Sequence, residues 1–181
     1  ITSVVCILAE YFHSAAEIRR LYMRDRLVMM DLKVSIPSYK VDYDRYPILG
    51  EIPTNRDLAL RSRGPMLQVL NGKNIGGLNP KEIKFTDLPM AKDRTSGLWQ
   101  DGEEWVLCDQ WGEPFYIVLD TNGDGKIANP MLEAFPPGSN GSYGGQTRLP
   151  IELPASAIVY SSGPDRNPKT WKDNRYSWQS H

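Results

Sequence analysis

The sequence predicts an α+β fold, with one long N-terminal α-helix packed on a small antiparallel β-sheet. Three observations carry this prediction. Apolar residues recur at helical spacing through the first 46 residues, at Ile18, Leu21, Tyr22, Val28, Met29, Leu32, Ile36, Tyr39 and Tyr43, with Asp25 interrupting that face. Short β-type runs fall in the second half, at 105–108, 115–119 and 157–162. Between them lie clusters of Gly, Pro, Asn and Asp that read as turns. The chain therefore divides into a helical unit, 1–46, and a head, 47–181.

The helix is predicted to be roughly 60 Å long at about 1.5 Å per residue, more than such a head can cover. Part of it is expected to project or to find a partner. Pro37 lies inside the periodic run and predicts a kink, because it removes a backbone donor and crowds the preceding turn. DRYP at 44–47 ends the helix. Arg19, Arg20, Arg24 and Arg26 form a basic patch that reads as a solvated face. The chain starts at Ile1, which predicts a trimmed N-terminus with a targeting segment upstream. The apolar run SVVCILA at 3–9 is far shorter than the ~20 residues of a membrane span.

Within the head, RGPMLQVLNG predicts a short helix over 66–70, with Pro65 in its first turn and Asn71-Gly72 as its stop. WVLCDQWGEPFYIVLD predicts a β-hairpin, its strands 105–108 and 115–119 joined by a wide DQWG loop. The stretch 136–145 reads as a surface loop whose Asn140-Gly141-Ser142 tripeptide matches a glycan acceptor by composition.

The 181 residues are 40% hydrophobic, enough for a core, and 21 Lys and Arg stand against 22 Asp and Glu. That balance argues against nucleic acid or an anionic surface as partner. Cys6 and Cys108 are too few for a disulfide framework and are expected to be unpaired. His13 and His181 are the only histidines, and neither HExxH, GxSxG, GxxxxGK nor GxGxxG occurs. Asp101, Glu103 and Glu104 read as a charged turn, so the expectation is a protein that is not an enzyme.

Two stretches suggest a metal. In LDTNGDGKI, Asp120, Asn122 and Asp124 offer side-chain oxygens at alternate positions before Gly125, with the Lys126 carbonyl and the apolar anchor Ile127 following, like the first half of a calcium loop. The carboxylate expected at position 12 is replaced by Met131, and an Asx-rich hydrogen-bonded turn accounts for the same residues. Of the two stretches this one has the better ligand spacing and is the favoured calcium site. The second, SSGPDRNPKTWKDN at 161–174, places Asp165 and Asp173 on a loop that returns on itself.

The order of the parts is more specific than any of them. A long helix ending in Tyr39, Tyr43, Arg45, Tyr46 and Pro47, then LNGKN, LNPKEIKF, DxWGxPF (Asp109, Trp111, Gly112, Pro114, Phe115), LDTNGDGKIANP, YSSGPD and WKDNRYSW resembles the type IV pilin-like family, and within it the major pseudopilins of type II secretion. The resemblance covers the chain from about Leu32 onward. It implies a pilin-like fold and a filament subunit that self-associates and joins other pilin-like subunits through its N-terminal helix. It also implies an inner-membrane assembly machinery, and a precursor anchored there with its head outside the cytoplasm. Family calcium binding in the C-terminal loop carries over to Asp165 and Asp173, with Ser161 and Ser162 as carbonyl donors; Arg166 stands where relatives often have Gly. The other readings are a surface or minor pilin active in adhesion, and a calcium-stabilised extracellular enzyme or carbohydrate-binding module.

Overall fold

A computed structural model describes residues 2–134 and 149–178, with side chains at 16 and from 19 onward. The tripeptide at 140–142, the Cys6 side chain and His181 lie outside the described residues.

Helix α1 spans Thr2–Tyr43, and Pro37 sits inside it without ending it. No glycine interrupts this span, so nothing else in it opposes helix formation strongly. The helix stops three residues before the predicted boundary, where Asp44 takes a φ of 51°. Its buried face, Val28, Met29, Leu32, Ile36 and Tyr39, belongs to the same apolar cluster as Leu107, Phe115, Ile117, Leu119 and Val159 of the head. Helix and head thus share one core.

Four strands make the main antiparallel sheet: β1 (Leu58–Arg61), β4 (Tyr116–Leu119), β7 (Ala157–Ser161) and β8 (Arg175–Tyr176), in that spatial order. Strands β2 (Gly97–Asp101) and β3 (Glu104–Cys108) pair as a separate ribbon, as do β5 (Ile127–Ala128) and β6 (Glu152–Leu153). Helix α2 is Pro65–Leu70, with Pro65 in its first turn and Asn71 as C-cap, as expected.

The predicted hairpin is not formed. β3 pairs with β2 over five residues, while β4 pairs with β1 and β7; only an isolated bridge, Cys108 to Pro114, links the two sides of the DQWG turn. The turn gathers its own backbone donors onto Asp109, and this diverts the chain before a ladder can form. Strand β1 is unsigned in sequence because LALR has little β propensity.

Alternation along β4 and β7 puts Ile117, Leu119, Ala157 and Val159 on the helix side. The opposite face carries a register-matched ladder, Tyr116 to Tyr160 to Tyr176. That ladder is not bare. Met131 (0% exposed), Trp171 (2%) and the half-buried Trp178 cover it, so all five residues of β7 are buried.

Candidate functional site

The residues that end α1 fasten it to the head. Tyr39 Oη donates to Leu78 O (2.5 Å), Tyr43 Oη to Asn79 Oδ1 (2.6 Å) and Tyr46 Oη to Asp120 O (2.7 Å). Asn79, buried, donates in turn to Val69 O and Ile83 O. Each buried hydroxyl thereby finds the partner that its burial demands.

The DQWG turn links α1 to the C-terminal loop. Asp109 is fully buried; its Oδ1 accepts from the N–H groups of Trp111 and Glu113 (both 2.9 Å), and its Oδ2 accepts from Ser161 Oγ at 2.6 Å. Gly112 takes a φ of 85°, the left-handed region that glycine adopts freely. From the helix, Asp25 Oδ2 accepts from Gln110 N–H (3.1 Å), and the Trp111 ring lies edge-on to Tyr22 at 6.1 Å. Trp111 is only half-buried, so it anchors the turn on the helix surface rather than in the sheet core. Burial raises the Asp109 carboxyl above its ordinary range, against the hydrogen bond from Ser161.

Asp120, Asn122 and Asp124 come together, as side chains bonded to nearby backbone. Asp120 accepts from the N–H groups of Gly123 (2.7 Å) and Gly125 (3.0 Å), Asn122 Oδ1 from Asp124 N–H, and Asp124 Oδ1 from Lys126 N–H. Lys126 extends to Glu152 at 2.9 Å. Ile127 is fully buried, as expected of the anchor, and so is Met131, which puts an apolar core side chain at the calcium-loop position that needs a carboxylate.

Asp165 and Asp173 lie in the loop between β7 and β8, at the other end of the main sheet. Ser161 pairs with Arg175, and that register, continued, sets Ser162 opposite Asn174 and Gly163 opposite Asp173. Gly163 has no room for a side chain, since a Cβ there would stand 2.7 Å from Asp173 O. Asp165, exposed, accepts from Asn167 N–H (2.8 Å). Arg166 adopts the left-handed φ of 58° and donates to Trp111 O (2.9 Å), so the arginine takes the backbone conformation that glycine favours and fixes it from the DQWG turn. Three oxygens at the loop's closed end, Ser162 Oγ, Asp173 Oδ1 and Asn174 Oδ1, are buried without a hydrogen-bond partner. Such atoms cost roughly 1–3 kcal/mol each unless a donor or cation meets them. Sequence reasoning missed Asn174 because an Asn before a strand has no distinctive spacing.

Among the described residues no three His, Cys, Asp or Glu side chains are gathered to hold a metal, and Cys108 is buried and free, its thiol pushed up by burial. Nor is any described helix long and apolar enough to cross a membrane. No family model, curated protein or solved structure matches this chain.

Proposed function

We propose that this chain is a structural subunit of a type II secretion pseudopilus or a related pilus-like filament, acting by assembly and not by catalysis. The observation that supports it most is the division of labour along α1. Among its described side chains the buried positions run from Asp25 to Tyr39, and the tyrosines that close it bind the head. Among the described side chains of α1, none before Asp25 is buried, which leaves surface there for packing against other subunits. The sheet's aromatic ladder favours the carbohydrate-binding alternative less than a bare one would, because Trp171 covers it.

In this reading the C-terminal loop is the place for calcium. Asp173, Ser162 and Asn174 offer buried oxygens that lack partners, and Asp165 adds a second carboxylate, which suits a hard oxygen-seeking cation. A bound cation there supplies charge that ties the two arms of the loop, and outside the cytoplasm an affinity of about 10⁻⁴ to 10⁻³ M is enough. The DTNGDG oxygens, already committed to backbone donors, are the weaker candidates.

The test is to express the tagged full-length precursor in its own cell and shear the cell surface. Recovery of the tag in pelleted filaments, dependent on the assembly ATPase, is the expected outcome. A signal-peptide-cleaved monomer that never pellets overturns it.

A further inference from the structure

Besides Val41 near its end (85% exposed), four large apolar side chains of the described part of α1 stand in solvent: Met23, Leu27, Met30 and Val34, exposed by 56, 65, 41 and 60%. Scattered exposed apolar residues need no account, but these are spaced by four, three and four residues, the alternation of a coiled-coil seam. Their face is opposite the one that Val28, Leu32 and Ile36 bury in the head. The charges flanking the stripe are unequal. On one flank stand Arg26, exposed, and Lys33, which donates to Ser177 O (3.0 Å). On the other a groove of about 460 Å³ is lined by Leu27, Val28, Asp31, Asp87 and Pro89. Arg24 also lines it, its guanidinium donating to Met90 O (2.7 Å) of its own head. Asp31 accepts from Thr86 Oγ1 and Asp87 pairs with Lys84, each carboxylate keeping acceptor capacity.

We propose that this stripe seats on the same stripe of a second copy of the chain, the helices parallel and in register, with Arg26 of each copy entering the groove of Asp31 and Asp87 in the other. The polarity follows from charge. A parallel pair sets the flank position of Arg26 beside the partner's residue five further on, which is Asp31. An antiparallel pair sets Arg26 against the partner's own basic flank, Arg26 and Lys33, where like charges repel. The heads, each on the far side of its helix, do not meet. Four apolar positions are fewer than a free-standing coiled coil needs, so the contact is reversible and suits subunits already concentrated in an array. In that respect it rests on the filament-subunit reading.

Disulfide trapping tests it on the whole chain with Cys6→Ser, which leaves only the buried Cys108. Leu27→Cys is expected to form dimers on mild oxidation at least about tenfold faster than Lys73→Cys on the exposed head, because a bond needs Cα atoms within ~7 Å. Adding Arg26→Glu is expected to slow trapping by about tenfold, and mixing those copies with Leu27→Cys copies that carry Asp31→Arg to restore it. Arg26, Leu27 and Lys73 are exposed and Asp31 is half-buried, and unchanged melting in each variant shows that folding is intact. Trapping no faster than in the Lys73→Cys control, or no rescue on mixing, overturns the proposal. If trapping fails while the precursor still enters filaments, this contact falls and the filament-subunit reading stands; trapping without filament entry does the reverse.

Discussion

Asp25 interrupts the apolar face of α1, and its place in the structure explains why it is tolerated. It is 1% exposed, it accepts from Gln110 N–H, and burial pushes its carboxyl up to about 7, with Asp109 adding to the rise and Arg24 and Arg175 opposing it. The folded chain therefore keeps a proton that the unfolded chain releases above about pH 3.9. Stability from this group is fully present below that value and is lost as pH rises to about 7, by about 4 kcal/mol at 1.36 kcal/mol per unit. Chemical denaturation between pH 4 and 8 should show the decline in the wild type and a shallower one in Asp25→Asn, which keeps an acceptor for Gln110; equal slopes in the two proteins sink the account. Trp111 carries a smaller burden than a core aromatic. Because it is half-buried against Tyr22, Trp111→Ala should cost about 2 kcal/mol, below the ~3–5 of a fully buried aromatic. A loss above about 3 kcal/mol in a urea melt would place the indole in the core after all. Asp109→Ala strips acceptors from two backbone N–H groups and from Ser161 Oγ, and should cost roughly 3 kcal/mol or more by the same measurement.

At the scale of elements, the loop between β7 and β8 and the turn after β4 make opposite predictions about calcium. Ligand-linked stabilisation follows RT ln(1 + [L]/Kd), about 2.7 kcal/mol at 100 times Kd. Thermal melts with calcium and with chelator should show that gain in the wild type and lose it in Asp173→Ala, with Asp124→Ala still responding. Trp171, seated in the same loop and 2% exposed, should report the change by its fluorescence. A response abolished by Asp124→Ala alone moves the site to the DTNGDG turn, and no response in any protein means that neither loop binds the ion. The elements themselves differ in how plainly the sequence announced them. α2 and β7 were legible because a first-turn proline, an Asn-Gly stop and an unbroken apolar run are local signals. The pairing of β3 was not, because Leu98 and Trp99, its partners on β2, lie in a turn-rich stretch with no strand pattern.

For the whole molecule, α1 and the head act as one body because the closing tyrosines and Asp25 fix the helix at two levels. Substituting Tyr43 by Phe removes the bond to Asn79 while keeping the ring contact with Tyr39 and Phe85, and should cost about 1 kcal/mol in denaturation. A loss above about 3 kcal/mol would mean that the hydroxyl holds more than Asn79. The sequence by itself determined the long helix, its stop near Tyr43, the small helix, the central strand and the identity of the two oxygen-rich loops, since each rests on the spacing or chemistry of neighbouring residues. Only the tertiary structure decided that β3 leaves β4 for β2, that Asp109 joins Ser161 across 52 positions of chain, and that the loop of Asp173 is left with buried oxygens lacking partners, whereas the unpartnered oxygen beside the Asp120 turn belongs to the distant Asp57. Those outcomes depend on which distant groups compete for the same donors, and spacing along a chain carries no record of that competition.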